Sequence, residues 1–125
     1  MSTIYTVATA NALLPYLAPT LVELREKFEA AEKIREAMVR AASGNGRSRR
    51  RDAERNTMER VAELMKRIEA WDLLLRDVST GLVDFPAEID GQQAFLCWRL
   101  GEAKVAYWHS PDDGFQGRRP LPGTE

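Results

Sequence analysis

The dipeptide Asp90-Gly91, which stands between two runs of alternating apolar and polar residues, constrains the fold of this chain most strongly. Asp-Gly in this setting favours a two-residue type I′ turn and therefore a β-hairpin. The turn sets position 89 opposite 92, 87 opposite 94, 85 opposite 96 and 83 opposite 98. A slip of one residue would scramble the apolar face, so the consistency of that face supports the register. The face holds Val83, Phe85, Ala87, Ile89, Ala94, Leu96 and Trp98.

Two amphipathic stretches of equal length precede the hairpin. Residues 19–42 and 52–75 each cover 24 positions, or about 36 Å of helix at 1.5 Å per residue. Apolar side chains recur three and four residues apart in both stretches, close to the heptad period of a coiled coil. The short polar loop between the stretches predicts that the two helices pack antiparallel, as a helical hairpin.

The ends of the helices carry local signals. Thr9 is a suitable N-cap for a first helix that begins at Ala10. Pro15 and Pro19 each remove a backbone donor in its early turns, which favours a kink or a break there. The glycines of residues 44–46 are able to adopt the left-handed conformation that ends many helices, so we expect the first helix to stop before them.

These patterns predict an α+β fold. A long antiparallel helical hairpin is followed by a small antiparallel β-meander and an irregular C-terminal tail, and a chain of 125 residues suits a single domain. The predicted bounds are 1–125 for the domain, 9–42 and 52–76 for the helices, 81–109 for the meander with a third strand at 105–109, and 110–125 for the tail.

Composition excludes several classes of protein. With 44% apolar residues the chain can bury a core, yet no stretch approaches the roughly 18 consecutive apolar residues of a membrane span. The N-terminus lacks the basic and apolar regions of a secretory signal, so we expect a cytoplasmic protein with no membrane partner. One cysteine and one histidine exclude an internal disulfide framework, a multi-cysteine zinc site and a relay of two imidazoles.

The hairpin register also brings candidate functional side chains together on its second face. Asp84 lies directly opposite Cys97 and diagonal to Arg99, within reach of side-chain contact. The simplest expectation is an ion pair between Asp84 and Arg99, with Cys97 as a small buried apolar residue. A nucleophilic pair of Cys97 with His109 is less favoured, because neither an orienting group nor oxyanion donors are evident.

A divalent-metal site is the alternative to this structural interpretation. Asp84, Glu102 and His109 offer two carboxylates and one imidazole, a mixed ligand set for a divalent cation, and Asp112 or Asp113 extends it. His109 shares a face with Asp84 only if the connection after the second strand has an odd number of residues, and both parities remain open. Structural roles are simpler, with His109 as a hydrogen-bonding residue and Glu102 as a solvated turn residue. No cofactor is therefore expected, and a metal is the exception.

Charge is unevenly distributed along the chain. Residues 47–55 carry five arginines against two acids, a net charge of +3, whereas residues 77–113 carry two basic against seven acidic residues, a net charge of −5. The run from Arg47 to Arg51 offers contacts to nucleic-acid phosphates. It has no interleaved aromatic residues and is placed in a short loop, so we expect a solvated tip and at most weak binding.

The glycine-containing tail segment 114–119 has two interpretations. Its glycines permit an anion-binding nest, with the guanidinium of Arg118 nearby. The segment lacks the spacing of a P-loop or a dinucleotide fingerprint. A tail that docks on the sheet through Phe115 is therefore favoured over a phosphate site.

Four ordered blocks of residues carry a resemblance to a known family. They are residues 81–86, 96–102, 107–109 and 114–118, together with the opening segment 9–15. The chain thereby resembles, from about residue 5 to 121, an uncharacterised bacterial family catalogued as domain of unknown function 2203. The resemblance implies a small bacterial cytoplasmic protein and brings no activity, cofactor or partner with it.

The sequence favours a non-enzymatic interaction module over an enzyme. Apolar residues off the main helical stripe, such as Leu14, Val39 and Leu74, leave surface that a small sheet cannot cover. We therefore expect self-association, most simply a twofold homodimer with a four-helix core. A metal-binding protein or metal-dependent enzyme is the first alternative, a weak nucleic-acid binder is the second, and a small-molecule ligand is left unspecified.

Overall fold

The computed structural model describes residues 3–41 and 46–122, which form two helices followed by a five-stranded antiparallel sheet. This arrangement confirms the predicted α+β fold and adds two strands, one at each edge, to the predicted meander. In chain order the elements are α1 (Val7–Arg40), α2 (Arg47–Ala70), β1 (Leu74–Asp77), β2 (Leu82–Ile89), β3 (Gln92–Arg99), β4 (Tyr107–His109), a 3₁₀ turn (Phe115–Gly117) and β5 (Arg119–Pro120).

Helix α1 begins three residues earlier than predicted, because Thr6 rather than Thr9 is its N-cap. The Thr9 backbone N–H donates to the Thr6 hydroxyl at 3.1 Å, and the Thr6 N–H donates to the Thr9 hydroxyl at 2.8 Å. This reciprocal pair is a capping box. The helix then continues through Pro15 and Pro19, so the predicted break is wrong. Leu17 between the prolines is fully buried, and such packing offsets the two lost backbone donors.

Helix α2 differs from its predicted bounds at both ends. It begins at Arg47 rather than at position 52, so the arginine tract is helical and not a loop, and Gly46 precedes it with a φ of 92°. It ends at Ala70 because Asp72 adopts a left-handed conformation, with a φ of 61°, that turns the chain into β1. Gly44, predicted as a cap of the first helix, lies outside the described residues.

Ion pairs between the two helices confirm that they run antiparallel. Arg35 Nε lies 2.7 Å from Glu54 Oε1 toward the loop end of the pair. Arg60 Nε lies 2.6 Å from Glu23 Oε2 about halfway along, with a second hydrogen bond of 2.8 Å to the other carboxylate oxygen. These ion pairs are exposed or half-exposed, so they align the two helices but add little to the free energy of unfolding.

The central hairpin of the sheet has the predicted register. Val83 pairs with Trp98 and Asp84 with Cys97, and the two turn residues have φ angles of 52° and 77°, as a type I′ turn requires. The turn and the alternation of apolar and polar side chains both predict this pairing. Both features therefore place the same side chains on each face of the sheet.

The inner face of the sheet packs on the helical hairpin. The buried residues of this hydrophobic core come from both helices, the hairpin strands and the segments that flank them. The Trp98 indole N–H donates a hydrogen bond to the Glu102 carbonyl at 3.1 Å. The core therefore spans both halves of the fold. Its largest members are Leu17, Leu21, Leu24, Leu64, Ile68, Val83, Phe85, Leu96, Trp98 and Val105.

Helix α1 is also long and apolar enough, by length and composition alone, to cross a membrane. Its most apolar 18-residue window has a mean hydropathy of 1.2, and 28% of that window is buried inside the protein. Core helices of soluble proteins meet the same criterion. The absence of a membrane partner stays a prediction.

Candidate functional site

Three buried polar side chains meet on the outer face of the sheet, away from the helices. Asp84 on β2 lies opposite Cys97 on β3, and His109 on β4 pairs with the residue two positions before Cys97. All three side chains therefore share one face, which answers the question of loop parity in favour of the odd connection. Their exposed fractions are 2% for Asp84, 1% for Cys97 and 4% for His109.

The Asp84 carboxylate is held by one partner from the neighbouring strand β1 and one from β4, on the other side of β3. Its Oδ1 lies 2.9 Å from His109 Nε2, and its Oδ2 accepts a hydrogen bond of 2.9 Å from Arg76 Nε. The predicted ion pair with Arg99 is wrong. Arg76 on β1, a strand that the sequence did not predict, takes that place.

Both ring nitrogens of His109 face oxygen atoms. Nε2 meets the Asp84 carboxylate, and Nδ1 lies 2.8 Å from the backbone carbonyl of Ser110. A carbonyl oxygen only accepts, so the Nδ1 contact is a hydrogen bond only when Nδ1 carries the proton. The arrangement thus assigns Nδ1–H, and Nε2 points at Asp84.

Glu102 belongs to a second cluster beside the first. Its carboxylate accepts hydrogen bonds of 2.7 and 3.2 Å from the Arg118 guanidinium and one of 2.8 Å from the Arg99 backbone N–H. The predicted set of Asp84, Glu102 and His109 therefore does not converge. Among the described residues, the potential ligand atoms that lie within 4.8 Å of one another come from Asp84, Cys97 and His109.

Arg118 fastens the C-terminal tail to the sheet. Its guanidinium carbon lies 3.9 Å from the centre of the Tyr107 ring and 4.3 Å from that of Phe115, so it is enclosed by two aromatic faces. The guanidinium of Arg99 also lies over Phe115, at 5.2 Å. The tail therefore docks through Phe115, as predicted. The Arg118 charge is already matched by Glu102, which weakens the anion-nest interpretation.

The docked tail encloses a pocket over the buried cluster. Its volume is about 410 Å³, and Asp84, Cys97 and His109 lie in its wall. The segment from Pro111 to Phe115 also lines it, and Arg76 and Leu82 complete the lining. A buried carboxylate, thiol and imidazole thus line one pocket.

The pocket does not contain an activated nucleophile. Burial, followed by the nearby Asp84 carboxylate, raises the pKa of the Cys97 thiol to about 11. A thiol in that state is mostly protonated near neutral pH and is a poor nucleophile. His109 has both ring nitrogens engaged, so it has no free nitrogen to take the thiol proton.

Arg76 is a site residue that the sequence interpretation missed. Leu73, Leu74 and Leu75 are apolar and follow shortly after α2. The segment that forms β1 was therefore predicted as the last turn of the helix. The burial of β1 alternates, but its sequence, Leu-Leu-Arg-Asp, does not alternate apolar and polar residues and so carries no strand signal.

Comparison with known proteins gives one match. The sequence model of a family described as uncharacterized conserved protein, DUF2203, matches residues 3–121. No curated protein and no solved structure matches the chain. The resemblance noted from the sequence blocks is thereby confirmed, and the family brings no activity with it.

Proposed function

The chain belongs to the DUF2203 family, and from its pocket we propose that it is a non-enzymatic binding module for a small cationic ligand. The observation that carries the proposal is the charge of the pocket lining. Three aspartates, Asp84, Asp112 and Asp113, stand against one arginine, Arg76. A cleft lined mainly by one sign of charge concentrates ions of the opposite sign.

The carboxylates at the rim are available to such a ligand. Asp112 is exposed, and no residue that the structure describes forms an ion pair with it. Asp113 accepts a hydrogen bond of 3.0 Å from the Ser110 hydroxyl, and its contact with Arg119, at 3.9 Å, is long and exposed. The rim therefore offers acceptors that a cation can use without breaking a close ion pair.

The state of the buried side chains Cys97 and His109 supports binding rather than catalysis. Acyl or group transfer needs a nucleophile beside a base with a free nitrogen or oxygen. Cys97 has a raised pKa, and the ring nitrogens of His109 already face Asp84 and Ser110. A binding role does not need an activated nucleophile.

Titration of the ¹⁵N-labelled protein with methylguanidinium and with acetate tests this proposal. We expect the cation to shift the backbone amide signals of Asp112, Asp113 and Gly114, and acetate to leave them in place. Asp112→Asn combined with Asp113→Asn should weaken the cation response. Asp90→Asn, which removes one negative charge from an exposed turn outside the pocket, should not. Shifts caused by acetate, or none by the cation, would contradict the proposal.

Self-association remains part of the proposal, with weaker support from the helices than expected. Of the residues off the helical stripe, Leu14 is half-buried, and Val39 and Leu74 are exposed, at 80% and 39%. Nucleic-acid binding has less support, since the run from Arg47 to Arg51 forms the start of α2 and its sequence contains no aromatic residue. Cytoplasmic location stays a prediction.

A further inference from the structure

We propose that Asp84 Oδ1, Cys97 Sγ and His109 Nε2 bind a single transition-metal ion of the zinc class. The inference rests on the proposed function, because the metal ion is a cation that would bind to residues lining the same pocket. The three atoms lie within 4.8 Å of one another and belong to three adjacent strands. Ligands on paired strands are held in place without the metal.

The ligand chemistry selects the metal. A thiolate and an imidazole favour zinc, cobalt and related ions, whereas magnesium and calcium prefer oxygen ligands alone. The Asp84 carboxylate and the Cys97 thiolate together carry two negative charges, which match one divalent cation. Cys97, and not Glu102, is thus the third ligand, since Glu102 is held by Arg118.

Groups around these ligands already have the arrangement that metal sites use. A metal-bound histidine usually donates its other ring N–H to a carbonyl or carboxylate, and ligating carboxylates are hydrogen-bonded in turn. His109 Nδ1 lies 2.8 Å from the Ser110 carbonyl, which leaves Nε2 for the ion. Arg76 Nε donates to Asp84 Oδ2 at 2.9 Å, which leaves Oδ1 for the ion.

Metal binding replaces protons at the ligand atoms. The ion takes the place of the proton shared by His109 Nε2 and Asp84 Oδ1 and of the thiol proton of Cys97, and both protons leave to solvent. Binding to a cation deprotonates a thiol even where burial disfavours the thiolate. Three protein ligands leave a fourth position, which faces the pocket of about 410 Å³.

Titration of the untagged, full-length protein with Co²⁺, a spectroscopic substitute for Zn²⁺, tests the site. We expect one ion per chain, with a thiolate-to-cobalt absorption band that Zn²⁺ abolishes by displacement. Cys97→Ser should remove the band. Arg76→Gln, which deletes a hydrogen bond to the ligating carboxylate, should weaken binding about tenfold. Arg51→Gln, a change at an exposed arginine on α2 away from the pocket, should leave the affinity unchanged.

X-ray absorption of the zinc-loaded parent protein supplies a measurement that needs no variant. One sulfur at about 2.3 Å, with nitrogen or oxygen at about 2.0–2.1 Å, is expected. A zinc shell without sulfur, or Co²⁺ binding that persists in Cys97→Ser, would overturn the metal site. If methylguanidinium shifts the pocket amides while Co²⁺ gives no band, this inference fails and the proposed function stands. If neither ligand binds, both fail.

Discussion

Asp84 is a buried carboxylate with two close partners, Arg76 and His109, and its removal should be costly. Asp84→Asn leaves the guanidinium of Arg76 and the ring of His109 without their anion. Breaking a buried pair costs about 3–5 kcal/mol. We expect a loss at the lower end of this range, because the Arg76 side chain is 46% exposed and water screens its charge.

Urea denaturation of Asp84→Asn beside Glu88→Gln measures this cost. Glu88 lies on the same strand and is exposed, so the same carboxylate-to-amide change should alter the free energy of unfolding by no more than about 0.5 kcal/mol. Equal losses in the two variants would show that the contacts of Asp84 contribute nothing specific.

The sequence predicted only those parts of this site that residues close together in the chain determine. The turn and the alternation placed Asp84 opposite Cys97, because both features lie within one hairpin. The partner of Asp84 was predicted wrongly because Arg99 contacts Phe115 in the tail, a contact between segments that no short window contains. The face of His109 depended on the irregular connection before β4, which has no periodicity to read.

Among the elements, the turn between β1 and β2 is the most sensitive to a single added carbon. Gly81 has a φ of 67°, and a Cβ there would lie 2.5 Å from Leu100 Cδ1. Gly91 in the hairpin turn has a φ of 77° and nothing within 4 Å of the same position. The two glycines share the backbone conformation and differ in the space around them.

Gly91→Ala and Gly81→Ala therefore separate backbone strain from steric overlap. The left-handed conformation should cost each variant about 1 kcal/mol. The overlap with Leu100 should cost Gly81→Ala about 1–3 kcal/mol more. Thermal unfolding of both variants measures the difference, and equal melting temperatures would mean that Leu100 moves aside freely.

The element boundaries show which signals tertiary structure overrides. The prolines predicted a kink or a break in α1, yet no break occurs, because packing on both sides of Pro19 keeps one helix. The leucines after Ala70 predicted a longer α2, but the left-handed residue Asp72 ends the helical path and starts β1. Type I′ turns and alternation were reliable here because the same few residues determine both conformation and pairing.

At the scale of the whole molecule, the sheet and tail taken together are less acidic than residues 77–113 alone, whose net charge is −5. The sheet and tail, residues 74–122, contain seven acidic and five basic residues, a net charge of −2. Arg76, Arg118 and Arg119 lie outside the segment counted from sequence and reduce its acidity. Electrostatic attraction between the two ends of the molecule is therefore a weak basis for assembly, and apolar surface is the stronger one.

Two of the exposed apolar side chains, Ile4 and Leu74, lie together beside the β1 edge of the sheet. Ile4 is 55% exposed and Leu74 39% exposed, and both line a hollow of about 590 Å³ with Pro86 and Phe95. Val39, 80% exposed, lies near the far end of α1. Scattered apolar residues are ordinary, whereas a group around a hollow is typical of an interface.

Light scattering at micromolar concentration should give about twice the chain mass of 14.1 kDa if this hollow is the twofold interface. Ile4→Ser combined with Leu74→Ser should give a monomer, because both apolar contacts are lost to each copy. Val39→Ser removes one exposed apolar residue at the other end and should leave the dimer intact. Dissociation by Val39→Ser alone would place the interface on the helices, as the four-helix core requires. A parent protein that stays monomeric as its concentration rises would exclude the dimer.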